Sequence, residues 1–95
     1  MFPDAAITFL MTNDLAASAD FYEHTLGLPL VLDQGACRIY RLSGQAYLGC
    51  CRRDEPVQTD GIIVTLVAQD VDAWYTRLRD NGAAIDKPPA HNPRY

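Results

Sequence analysis

A strand, a capped helix, a glycine stop and a further strand occur twice in this chain, 56 residues apart, and this repeat limits the fold more than any other feature. The first copy is Asn13–Leu30, NDLAASADFYEHTLGLPL; the weaker second copy is Gln69–Ile85, QDVDAWYTRLRDNGAAI. In register, Ile7 falls on Ile63, Leu10 on Leu66, Asp14 on Asp70, Leu15 on Val71 and Ala17 on Ala73. Gly27 and Gly82 agree to within one position. Neither copy has enough strands to bury both faces of its own sheet, so pairing of the two is the physical expectation.

Taken in order, Ala5–Thr12 is uncharged and rich in large apolar residues, which predicts a first strand. Asp14 stands at an N-cap, where its carboxylate can accept from the free N–H groups of a first helical turn. Leu15, Ala19, Tyr22 and Leu26 then form one helical stripe, widened by Phe21. Gly27 can adopt the left-handed conformation that ends a helix, and Pro29 prevents its continuation. Leu28–Asp33, Cys37–Leu42 and Ala46–Arg52 read as the second to fourth strands, with a hairpin turn at Ser43-Gly44-Gln45. Arg53–Gly61 is polar and linker-like. Ile62–Ala68 predicts a fifth strand. Asp70 caps a second helix with Val71, Trp74 and Leu78 on its buried side and Tyr75 beside them, and Gly82 ends it. Ala83–Lys87 reads as a sixth strand, and Pro88-Pro89 with Asn92-Pro93 makes the rest an extended loop.

Ninety-five residues suit one domain. Eight Lys+Arg against twelve Asp+Glu leave a net charge of −4, a poor match for a phosphate backbone or an anionic membrane surface, so nucleic-acid and membrane partners are not expected. No apolar run approaches the roughly 20 residues of a membrane span. The N-terminal stretch has no basic region and carries Asp4, unlike a signal peptide. Cys37, Cys50 and Cys51 show no CxxC spacing; free thiols in a reducing cytoplasm are the simplest expectation.

Asp14-Leu15, Ser18, Phe21-Tyr22 and Leu26-Gly27-Leu28, followed by Asp70-Val71-Asp72-Ala73, Leu78 and Gly82, resemble the vicinal oxygen chelate superfamily over nearly the whole chain. That group includes glyoxalase I, bleomycin-resistance proteins and extradiol dioxygenases. The resemblance implies an α+β fold: two βαβββ modules whose mixed sheet curves around a shared cavity, with helices outside. It implies one domain over 1–95, with a first module at about 5–52, a linker at 53–61 and an incomplete second module at 62–95. Proteins of this kind continue past a stretch like Asn92–Tyr95 into a further hairpin, which this sequence lacks. A sheet ending at the sixth strand exposes a pairing edge, and a homodimer is the expected assembly.

Metal-using members of the superfamily hold a divalent ion through His, Gln or Glu. The resemblance places those positions at Ile7, at Leu48 or Gly49, and at Ile63, with a fourth in the absent hairpin. Isoleucine has no lone pair for a cation. The two histidines, His24 and His91, read as surface or capping residues. No metal or other cofactor is therefore expected; the alternative is a divalent metal held by other residues. Alternation puts Ile7, Phe9 and Met11 on one side of the first strand and Ile63, Thr65 and Val67 on the matching side of the fifth. The resemblance makes this side the cavity. With the polar candidates, the expected ligand-binding set is Ile7, Phe9, Arg38, Tyr40, Tyr47, Ile63 and Thr65, although core packing is the simpler reading for any one apolar member. Arg38 and Arg41 face opposite sides, so at most one enters the cavity. Cys50 and Cys51 also face opposite sides and read as buried free cysteines. No Ser-His-Asp order, glycine-rich phosphate loop or carboxylate pair stands out. The expected function is binding of a small organic molecule without the family metal. The alternatives are a metal-dependent lyase, isomerase or dioxygenase of the same superfamily, and a non-catalytic protein that recruits another chain through its open edge.

Overall fold

The computed structural model describes residues 1–91, so the Asn92-Pro93 turn and the rest of the Asn92–Tyr95 stretch lie outside the described residues. The chain forms two compact units, Met1–Val64 and Thr65 onward.

In the first unit, β1 (Ala6–Thr12) leads into α1 (Leu15–Asp20), which continues as a π-helical turn over Phe21–Thr25. Then follow β2 (Leu30–Asp33), β3 (Cys37–Ser43) and β4 (Ala46–Arg52). The strands form one mixed sheet in the order β1-β4-β3-β2. β1 runs parallel to β4, while the β2–β3 and β3–β4 pairs are antiparallel. This is the βαβββ order expected for the first module.

The start of α1 is built from its own sequence. Asp14 Oδ1 accepts from the Ala17 N–H at 3.1 Å, and Thr12 Oγ1 accepts from the Asp14 N–H at 3.1 Å. Beyond Asp20 the hydrogen bonds lengthen by one residue, and the Leu26 N–H reaches the Phe21 carbonyl at 2.9 Å. That wider turn sends both Tyr22 and Leu26 against the core, where they pack with Leu15 on Leu28, Tyr40 and Cys50. Phe21 is left largely exposed. Gly27, at φ 72°, makes the left-handed exit that a side chain would oppose.

Asn13 organises the linker, a role not apparent in its sequence context. Its amide nitrogen donates to the carbonyls of Arg53 at 2.7 Å and Glu55 at 2.8 Å, and its oxygen accepts from the Val57 N–H at 3.3 Å. The polar stretch after β4 is thus tied to the end of β1.

The β3–β4 hairpin contains an irregularity that re-aims half its side chains. Ser43 pairs with Ala46, but a register shift follows, so that Arg41 pairs with Tyr47, Ile39 with Gly49 and Cys37 with Cys51. Continued without the shift, Ser43–Ala46 pairing would have set Cys37 opposite Arg52. Instead Cys37 and Cys51 lie directly opposite, with Cα atoms 4.0 Å apart, and are joined as a disulfide. This corrects the expectation of three free thiols; only Cys50 remains free. The Arg52 N–H bonds the Ala36 carbonyl, which makes Cys37–Cys51 a non-hydrogen-bonded pair, the close-spaced kind in an antiparallel ladder.

In the second unit, α2 (Val71–Asp80) repeats the first cap: Asp70 Oδ1 accepts from the Ala73 N–H at 2.9 Å, as Asp14 does from Ala17. Trp74, Tyr75 and Leu78 are partly buried, and Gly82 exits at φ 85°. The Arg77 and Arg79 guanidinium carbons lie 5.5 Å from the Trp74 and Tyr75 ring centres respectively. Two expected strands do not form. Ile62–Ala68 and Ala83–Lys87 enter no ladder among the described residues. High β-propensity describes how a side chain fits a half-buried pleated surface; it does not make a strand without a partner to pair with.

Replacing Asp14 by Ala removes the acceptor at the start of α1. We expect a loss of about 1 kcal/mol, read as a lower urea midpoint at unchanged slope.

Candidate functional site

Side chains directly opposite in neighbouring strands share a face, so the ladder assigns the two sides of the sheet. On the side away from α1, three rows cross the sheet: Ile7, Tyr47 and Arg41; Phe9, Gly49 and Ile39; and Met11, Cys51 and Cys37. On the helix side stand Thr8, Leu48 and Tyr40, then Leu10, Cys50 and Arg38.

The open side is apolar and accessible. Ile7 and Phe9 are 47% and 48% exposed, and Met11 is 40% exposed. Gly49 permits the packing at its centre: a Cβ there would run into the Phe9 ring, so the ring lies over the glycine. An aromatic side chain resting on a neighbouring strand's glycine restores apolar contact that the glycine cannot supply. One end of this face is polar. The Arg41 Nη2 donates to the Tyr47 hydroxyl at 3.4 Å, and the Arg41 guanidinium carbon lies 5.6 Å from the Tyr47 ring centre. The other end is closed by Met11 and the Cys37–Cys51 disulfide.

The structure therefore brings Ile7, Phe9 and Tyr47 together and separates them from Arg38 and Tyr40. Those two residues face α1. Tyr40 is fully buried, and its hydroxyl donates to Glu23 Oε1 at 3.1 Å. Arg38 lies between Glu23, 3.9 Å away, and Asp33, 3.7 Å away. Its Nε is buried without a hydrogen bond. Arg41, not Arg38, is the arginine on the open side. Ile63 is 87% exposed and outside the sheet, and Thr65 begins the second unit.

The side chains at the family's metal positions do not fit a metal. Ile7 and Gly49 supply no donor atom, Leu48 is buried on the helix side, and the Phe9 ring covers the glycine. Among the described residues no three His, Cys, Asp or Glu side chains come together. His24 Nδ1 lies 2.9 Å from Asp20 Oδ1 on the exposed side of the helix.

Against this geometry, the family model described as the Glyoxalase/Bleomycin resistance protein/Dioxygenase superfamily matches residues 5–95. The chain belongs to this superfamily. Among solved structures, a glyoxalase/bleomycin resistance protein/dioxygenase from Nocardioides is 23% identical, with a TM-score of 0.70 over 98% of this chain and 71% of that one. TioX from Micromonospora sp. ML1 is 20% identical, with a TM-score of 0.73 over 96% of this chain and 82% of its own. Lactoylglutathione lyase from Agrobacterium tumefaciens is 22% identical, with a TM-score of 0.62 over 90% and 75% respectively. At these identities the likeness establishes the superfamily's fold. No curated protein matches the sequence. No helix among the described residues is long and apolar enough to cross a membrane.

Protonation on the helix side follows from burial. Desolvation, reinforced by the Glu23 carboxylate, pushes Tyr40 up to about 12. Burial also raises Tyr22, with a smaller contribution from Cys50. Burial raises the Cys50 thiol too, against the opposing effects of Ser18 and Arg38, so Cys50 stays protonated and is a poor nucleophile at neutral pH. The sign for Tyr40 is that of a group harder to ionise when folded. Its contribution is complete below the unfolded value near 10.0 and is lost as pH rises towards about 12. Unfolding free energy measured across that window should fall with pH, and the fall should be shallower in Tyr40→Phe.

Proposed function

We propose that this member of the superfamily binds a small, largely apolar organic molecule on the open side of the sheet without the family's metal. The observation that carries the reading is the composition of that side. Ile7, Phe9 and Met11 offer apolar contact over the buried Ile39, and Arg41 with Tyr47 forms the single polar end. Ligand sites commonly have this make-up, with apolar walls and a few placed polar groups that set orientation. Ile7 at the family's first ligand position and a phenyl ring over Gly49 support a site that works through contact and shape. The guanidinium and phenol suit a ligand with an acceptor or acidic group at one end.

The reading is tested with 8-anilinonaphthalene-1-sulfonate, which joins an aromatic body to an anion. Fluorescence titration should give saturable binding that is unchanged by EDTA and about fivefold weaker in Arg41→Gln. Metal analysis of the protein as purified should give no stoichiometric metal. Stoichiometric zinc, nickel, iron or manganese, lost when a single side chain is replaced, would contradict the proposal.

A further inference from the structure

The helix side of the sheet holds a cleft that the open-face reading leaves unused. It has a volume of about 640 Å³ and reaches the free edge of β1. Small-molecule sites typically fall between about 300 and 1,000 Å³. Its inner wall carries the β1 edge from Phe9 to Thr12 and Cys50 from the sheet, with Ser18 and Tyr22 from the helix, and the linker that Asn13 ties down forms the opposite wall.

The hydrogen bonds show which donors remain available. The Thr12 hydroxyl donates to the Asp14 carbonyl at 3.1 Å. Its single proton is thereby committed, so in the 2.7 Å contact between Thr12 Oγ1 and Ser18 Oγ the serine is the donor. Thr12 and Ser18 thus have their protons engaged within the wall. The Tyr22 hydroxyl makes no hydrogen bond among the described residues, although its ring packs against Tyr40 at 5.6 Å. Arg53 is the one charged side chain in the described lining, which contains no carboxylate. Its Nε is 3.4 Å from Glu55 in an exposed pair, which holds it only weakly.

We propose that this cleft is a second small-molecule site, taking an apolar molecule with a carboxylate that accepts from the Tyr22 hydroxyl and faces Arg53. The apolar body lies along Leu10, Val57 and Ile62. Binding is non-covalent, and the Cys50 thiol at the inner end reports occupancy. Phe9 and Met11 line both sites, but the polar ends are distinct, because Arg41 and Tyr47 stand on the other side of the sheet.

The test titrates each probe against the backbone amide chemical shifts of Leu10 and Val57, and follows beside it the slow alkylation of the buried Cys50 thiol by excess N-ethylmaleimide in the native, disulfide-intact chain, with intact mass as the readout. Cys50 is the one free cysteine, so each adduct reports this site. The probes are 3-phenylpropionate and its neutral counterpart, 3-phenyl-1-propanol. The acid should slow alkylation saturably and at lower concentration than the alcohol. Arg53→Gln should remove that advantage, Tyr22→Phe should raise the half-protecting concentration of the acid about fivefold, and Arg41→Gln should leave both unchanged. Amide shifts indifferent to both probes would overturn the proposal, as would equal affinity and protection in the parent, Tyr22→Phe and Arg53→Gln. If Tyr22→Phe fails to fold, Arg53→Gln, on an exposed side chain, decides the matter by itself.

Discussion

The parallel pairing of β1 with β4 is the constraint on which the rest of the first unit depends. It runs from Ala6 opposite Ala46 to Thr12 opposite Arg52 without a break. Its ends are marked by two bonds, from the Ala6 N–H to the Gln45 carbonyl at 2.9 Å and from the Arg53 N–H to the Thr12 carbonyl at 2.8 Å. The even-numbered residues of β1 therefore bond to β4, and Ile7, Phe9 and Met11 turn their amides to the free edge. The same parity sends their side chains to the open face and those of Leu10 and Thr12 towards α1. A slip of one residue would exchange the two sets and place Thr8 and Leu10 on the open face. The Asp14 cap and the Asn13 clamp hold this register from the loop side, because both act at the end of β1.

The two faces of the sheet meet different physical demands. On the helix side, burial is deep, and several of the polar groups brought along are paired, while Arg38 Nε is left without a hydrogen bond. Glu23 accepts from Tyr40 and sits near Arg38, and Ser18 bonds the Thr12 hydroxyl. Such a network holds the helix to the sheet through hydrogen bonds as well as apolar contact. On the open side, the apolar row around Phe9 is left accessible, and the guanidinium–phenol pair at its end is exposed. A metal ion would need oxygen, nitrogen or sulfur donors where this chain has isoleucine and glycine. The superfamily's scaffold is thus retained, while its metal positions carry residues suited to contact with carbon.

Much of this arrangement is legible from the residues. The succession of elements in the first module, both caps, both glycine exits and the shared side of Ile7, Phe9 and Met11 follow from propensity, capping chemistry and alternation, and the family resemblance adds that this side is the cavity's. The membership of the open face does not follow, and the reason is specific. Counting outward from the Ser43–Ala46 turn in an ideal hairpin places Arg38, Tyr40 and Tyr47 on one side. The register shift between Arg41 and Ser43 moves Arg38 and Tyr40 to the helix side, sets Arg41 beside Tyr47, and aligns Cys37 with Cys51. One irregular residue thus accounts for two displaced candidates, one missed arginine and the disulfide. Asn13 was missed for another reason: its partners, Arg53, Glu55 and Val57, are backbone groups more than 35 positions away, and local sequence holds no trace of them. Ile62–Ala68 has a strand's composition, but pairing, which composition does not encode, decides whether a strand exists.

The register of β1 decides which side chains reach the open face, and amide hydrogen exchange by NMR reads that register residue by residue. The N–H groups of Thr8 and Leu10, bonded to β4, should exchange much more slowly than those of Phe9 and Met11 on the free edge. The reverse order, with Phe9 and Met11 protected and Thr8 and Leu10 fast, would put Ile7 and Phe9 against the helix and contradict the assignment of the open face.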